Sequence, residues 1–166
     1  MVSAGNNPES YIRKQLAKQI RGGNAFLKIE KVLKMVEYSQ LGMQFPGLPY
    51  SFWQQFVHLR LTQLDILDFS NNADYRPLDW PKDYWPKNTA PSSPEEWEET
   101  QERFFKEREE FLTLILDENV ELYKPFPHGE GQTLFREALL IVEHNAYHTG
   151  QLIILARLIN GNTENI

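Results

Sequence analysis

The sequence predicts an all-α fold, a four-helix bundle with a long aromatic and proline-rich loop between its second and third bundle helices. Three observations carry that expectation. Apolar residues recur at helical spacing in four or five stretches, Pro/Gly runs and cap residues separate those stretches, and no segment shows the period-two alternation of a strand. The chain has 166 residues, near the commonest domain size, so residues 1–166 are expected to form one domain around one core.

The first helix is expected over residues 8 to 21, with Pro8 in its first turn and Ile12, Leu16 and Ile20 on one face, until Gly22-Gly23 interrupts. Asn24 is an acceptable N-cap for a restart that carries Phe26, Ile29, Val32, Leu33 and Val36 inward as far as Pro46-Gly47-Leu48-Pro49. The two pieces could equally be one kinked helix. A further helix runs from Ser51 to about Phe69, and its apolar residues are spread widely enough to imply contacts on more than one side. Residues 70 to 92 form the long loop; loaded with Tyr75, Trp80, Tyr84 and Trp85, it is expected to pack onto the helices. Ser93-Pro94-Glu95-Glu96 supplies an N-cap, a first-turn proline and a glutamate three residues after the cap. The helix that follows places Trp97, Phe104, Phe105, Phe111, Leu112 and Ile115 inward and keeps its charged residues for solvent. After a loop from Glu118 to Gln132, the last helix starts at Thr133 as cap and reaches about Asn160, where Gly161 can end it.

Composition narrows the function. Seventeen basic against 23 acidic residues give a net charge of −6 with no dense basic stripe, which argues against nucleic acid as a partner. With no cysteine, disulfides and thiolate ligands are both excluded, and any metal site must use nitrogen and oxygen donors. The N-terminal stretch lacks a signal-peptide pattern, and the longest apolar segment, Leu134 to Ile159, is broken by Arg136, Glu137, Glu143, His144, His148 and Arg157. The expectation is a cytoplasmic protein without membrane contact.

The residues that carry chemistry are histidines. His144 and His148 stand four apart, which stacks both imidazoles on one face of the last helix among Leu140, Ile141, Gln151 and Leu155. A buried neutral imidazole must satisfy one donor and one acceptor nitrogen; a metal takes the acceptor and leaves the N–H for a neighbouring group. Such a pair also arises from ordinary core packing, so spacing alone leaves both readings open. A third ligand should come from another helix, and His58, between Phe56 and Leu59, is the best placed; His128 lies in the turn-like Pro127-His128-Gly129. Three imidazoles without a carboxylate suit Zn²⁺ or Ni²⁺, with Mn²⁺ or Fe²⁺ as alternatives, and leave coordination positions open. Gln151 and Thr62, one turn from His148 and His58, are candidate catalytic residues, while Asp65, two turns from His58, is expected to hydrogen-bond another side chain. Tyr147, about 100° round the helix from the ligands, is expected to pack in a neighbouring seam. Tyr84 and Trp85 are placed to roof a pocket, or simply to pack on the helices.

The run Glu143-His144-Asn145-Ala146-Tyr147-His148-Thr149-Gly150-Gln151-Leu152 and the stretch Pro49-Tyr50-Ser51-Phe52-Trp53 leading to His58-Leu59-Arg60 and Asp65-Ile66-Leu67 resemble the DinB-like (DinB/YfiT) superfamily. So does the Trp80-Pro81 and Tyr84-Trp85-Pro86 loop, and the likeness covers nearly the whole chain. It implies a four-helix bundle, usually a homodimer, with a divalent ion on His58, His144 and His148. The chain departs from the family pattern after Leu158-Ile159, where Asn160-Gly161 stands in place of a tryptophan. Relatives of known activity include bacillithiol- and mycothiol-dependent S-transferases. The expected function is therefore transfer of an exogenous low-molecular-weight thiol to a small-molecule electrophile. The alternatives are a metal-dependent hydrolase that activates water and a non-catalytic metal-binding stress-response module.

Overall fold

The computed structural model describes residues 7–161. They form five α-helices, α1 (Pro8–Arg21), α2 (Ile29–Val32), α3 (Phe52–Asn71), α4 (Pro94–Leu116) and α5 (Leu134–Ile159), with no strand among the described residues. Each long helix packs on two others: α1 on α4 and α5, and α3 on α4 and α5. No helix among the described residues is long and apolar enough to cross a membrane.

Helix starts follow the cap chemistry. Asn7, Ser51, Ser93 and Thr133 each accept a backbone N–H of the first turn through the side chain. At Ser51 the reciprocal bond is present as well, with Gln54 Oε1 accepting Ser51 N–H. At Ser93 it is not, because the Glu96 carboxylate reaches one residue further back, to the backbone and hydroxyl of Ser92.

The largest correction falls after α1. Gly22 and Gly23 take φ of 69° and 77°, a left-handed stretch that ends the helix outright, so the two pieces are not one kinked helix. Asn24 does not cap a new helix either; its side-chain N–H turns back to the Lys18 carbonyl and Gln19 side chain. Only four residues of α-helix follow, capped by Lys28, and a 3₁₀ turn over Leu33–Met35 completes the segment. Ile29, Val32, Leu33 and Val36 are buried as expected, whereas Phe26 is exposed.

The buried side chains form two clusters. One gathers Phe52, Trp53, Phe56 and Leu59 of α3 with Trp97, Phe104, Leu152, Leu155 and the α2 segment. The other gathers Leu16 and Ile20 of α1 with Ile66, Leu67, Phe111, Ile115, Leu134 and Ile141. Full burial of a side chain such as Phe52 or Phe111 stabilises by roughly 1.5–3 kcal/mol. On α5 the stretch between the clusters is where His144 and His148 lie.

Charges inside the structure are not all on solvated faces. Glu107 and Arg108 of α4, expected outside, are both buried: Glu107 accepts from Arg60 of α3 at 2.5 Å, and Arg108 donates to Glu30 at 2.8 Å. Arg13, on the inward face of α1, is 2% exposed and donates to the carbonyls of Ile115, Asp117 and Val120 and to Glu9. It thereby gives a donor to the Ile115 carbonyl at the C-terminal end of α4, to its C-cap Asp117 and to Val120 in the turn that follows.

The long loop runs back along α3. Tyr75 and Tyr84 hydroxyls donate to Asp65, the Pro86 carbonyl accepts from Gln54, and the Thr89 carbonyl accepts from Ser51. Replacing Arg13 by Leu removes a donor from three carbonyls, of which the Ile115 oxygen is buried, while Asp117 O keeps the Val120 N–H. We expect Arg13→Leu to lower unfolding free energy by about 2–5 kcal/mol in urea titration, against a change within about 0.5 kcal/mol for the exposed Lys14→Leu.

Candidate metal centre

α3 carries Gln55, His58, Thr62 and Asp65 at spacings of three and four, one polar stripe on a helix whose other buried positions are apolar except Gln63. α5 presents His144, His148 and Gln151 in the same way, and α3 packs on α5 along this seam. The three histidines meet there. Their ring centroids lie 5.3 Å (His58–His144), 4.6 Å (His58–His148) and 4.3 Å (His144–His148) apart, and one ring nitrogen of each falls within 4.8 Å of the others. His58 and His148 are buried and His144 is half-buried.

A backbone carbonyl settles the tautomer of His58. His58 Nδ1 lies 3.0 Å from the Tyr84 carbonyl, which can only accept, so Nδ1 carries the proton and Nε2 keeps its lone pair. His148 Nδ1 lies 2.8 Å from Gln151 Oε1, which as placed accepts from it and favours the same tautomer. The Gln55 amide touches that nitrogen too, while its own Oε1 has no partner; turning this amide over makes it a second acceptor for the same N–H. His144 Nδ1 is buried with no hydrogen-bond partner.

All three rings are neutral at pH 7. Burial pushes His144 down to about 3, aided by the nearby His148 and His58, and pushes His148 down to about 4, aided by His58. His58 is lowered by burial as well, against the Tyr84 carbonyl, which favours its charged form. Three neutral imidazoles converging with two Nε2 lone pairs uncommitted form a donor set that fits a divalent ion, with nitrogen ligands alone and no carboxylate to add charge.

Loop aromatics close one side. Trp85 stacks flat on His58, centroids 4.0 Å apart at 3°, and Tyr50 stacks on Trp85 at 5.7 Å. Trp80 lies 6.3 Å from the His58 ring. Of the flanking residues named from sequence, Gln151 contacts His148 directly, and the Thr62 hydroxyl is buried without a partner. Asp65 does bond other side chains, the two tyrosine hydroxyls, and both phenols are pushed up by burial and by that carboxylate. Tyr147 does not pack in a seam: it is 63% exposed, because the face of α5 it occupies meets no other helix, and its ring contacts only the edge of the site at His148. His128 stays apart, bonded to the Phe69 carbonyl. Sequence reading missed Gln55 and the Tyr84 carbonyl; the first was visible as a polar residue three before His58, whereas a backbone contact from a distant loop leaves no sequence signal.

A family model described as the DinB superfamily matches residues 28–152, more than half of the chain, and spans all three histidines. No curated protein and no solved structure matches.

The lowered histidines make stability depend on pH. Unfolded, each imidazole binds a proton near its ordinary value of about 6.5; folded, His148 and His144 do so only near 4 and 3. Between those limits the unfolded chain holds more protons, so this contribution is intact above about pH 6.5 and is lost as pH falls toward 4. The metal-free protein should melt at lower temperature at pH 5 than at pH 7.5, and a His144→Leu/His148→Leu variant should show a smaller difference between the two.

Proposed function

The chain belongs to the DinB superfamily, and on that premise we propose that it is a metal-dependent thiol S-transferase, built as a four-helix bundle of α1, α3, α4 and α5. In this reading His58, His144 and His148 hold one divalent ion, Zn²⁺ or Ni²⁺ with Mn²⁺ or Fe²⁺ as alternatives. The observation that carries the proposal is the convergence of three neutral imidazoles from two helices, two of them held by hydrogen bonds at Nδ1.

When bound, such an ion supplies Lewis acidity that lets a thiol exist as its anion near neutral pH. The protein's own groups do the rest. Tyr84 and Gln151 orient His58 and His148, and Trp85 and Trp80 shield one side from water. The Thr62 hydroxyl, buried and unpaired, is available to hydrogen-bond a bound substrate. Because the chain has no cysteine, the sulfur nucleophile is exogenous, a low-molecular-weight thiol, and the second substrate is a small electrophile.

The proposed assembly is a homodimer. Leu139, Tyr147, Ile154 and Leu158 stand 46–63% exposed along one face of α5, and Gly150 on the same helix meets nothing within 4 Å of a built Cβ, so a second copy of the chain can approach closely there. Light scattering should return twice the 19.5 kDa chain mass, and Ile154→Glu should return the single mass.

Elemental analysis of protein purified without chelator should find about one equivalent of a first-row metal per chain; a value well under one sinks the metal reading. Metal-loaded protein offered a panel of thiols with a chlorinated aromatic or an epoxide should consume thiol. His148→Ala should lose both stoichiometric metal and turnover, and intact turnover in that variant rules out these residues. If ester hydrolysis is observed without thiol consumption, the ion serves to activate water; if neither reaction occurs with metal present, the protein is a binding module.

A further inference from the structure

Two of the three histidines have an acceptor for Nδ1–H, and the third does not, although a chain of amides ends beside it. Gln63 on α3 is 1% exposed, and its Nε2 donates to the Phe104 carbonyl of α4 at 2.9 Å. A carbonyl only accepts, so the orientation of the Gln63 amide is settled, and its Oε1 must face the other way. There it accepts from Asn145 Nδ2 at 3.2 Å. That contact settles the Asn145 amide in turn, since an oxygen cannot be placed against Gln63 Oε1. What remains is Asn145 Oδ1, buried and with no partner, on the residue that follows His144. His144 Nδ1 is likewise buried and without a partner.

We propose that Asn145, aligned by Gln63, is the positioning residue for His144: its Oδ1 accepts the Nδ1–H of His144 and so holds the tautomer that leaves Nε2 free. This rests on the trihistidine reading above and deepens it. The two orphaned atoms are chemical complements, an acceptor and a nitrogen able to donate, and one bond satisfies both. All three rings then share one tautomer, with Tyr84, Gln151 and Asn145 as the respective acceptors. The relay ends on the backbone of α4, which contributes no ligand, so the ring's orientation is referred to the body of the protein. Without the relay, a neutral His144 is free to carry its proton on Nε2, where it blocks the lone pair an ion needs.

The test is the imidazole nitrogen spectrum of the full-length, metal-free, ¹⁵N-labelled protein at pH 7.5, which reports tautomers directly. His144 should be the Nδ1–H form in the wild type and should shift toward Nε2–H in Asn145→Leu and in Gln63→Met. A wild-type His144 protonated on Nε2 overturns the proposal, and so does a His144 that stays Nδ1–H in an Asn145→Leu protein of unchanged helical circular dichroism. The wild-type spectrum decides the matter even where a variant does not fold. Cobalt titration supplies the second readout: Asn145→Leu should bind Co²⁺ about 10–100-fold more weakly at unchanged stoichiometry, and unchanged affinity counts against the relay. If the wild type binds no Co²⁺, the metal reading fails while the tautomer spectrum still judges the Asn145 contact by itself.

Discussion

A neutral imidazole inside a helical interior brings two nitrogens of opposite character, and neither can be left bare without cost. Setting three such rings together multiplies the constraint, because they must not spend their acceptors on one another and yet each must place its N–H. The structure meets this for two of the rings by setting acceptors against Nδ1. Tyr84 contributes a backbone carbonyl to His58, and Gln151 a side-chain amide from one turn along α5 to His148. The polar stripe on α3, the course of the long loop and the buried glutamines are intelligible as responses to that demand.

The cost of a polar layer is contained by what surrounds it. Apolar clusters lie toward either end of the α3–α5 seam, one rich in aromatics around Trp97 and Phe56, the other aliphatic around Ile66 and Ile141. The three histidines thus stand on inner turns of long helices, where backbone positions are best defined, rather than on frayed ends. Three of the buried ions, Arg13, Glu107 and Arg108, sit elsewhere, each tied to a partner on another element, and they bind α1, α2, α3 and α4 to one another without entering the site.

Much of this was legible in the chain. His144 and His148 declare themselves through spacing, and the caps at Ser51, Ser93 and Thr133 locate three of the four long helices to within a residue or two. Gln55, His58, Thr62 and Asp65 form a periodic stripe that could have been recognised as one inward-facing line. What could not be read is whatever depends on tertiary course. The partner of His58 is a main-chain oxygen 26 residues away, supplied by any residue type at that place. Burial of Glu107 and Arg108 depended on which residues of α3 and α2 would face them, and the exposure of Tyr147 on which side of α5 has no neighbour. Asn24 misled because an asparagine after two glycines serves equally to close the helix behind it as to open one ahead.

The loop over the site is fastened almost wholly to the helix that supplies His58. Gln54, His58 and Asp65 belong to α3 and Ser51 is its N-cap, and between them they hold Thr89, Pro86, Tyr84 and Tyr75. Ligand, acceptor and aromatic cover therefore ride on one rigid element, while the other two histidines ride on α5. If the long helices slide on one another, as packed helices do in shear motions, the cover does not lift away from His58; the quantity that changes is the separation of His58 from the α5 pair. A relative displacement of the two helices would thus set how closely the three rings approach, and a displacement that admitted a ligand would also loosen the grip on any ion held there.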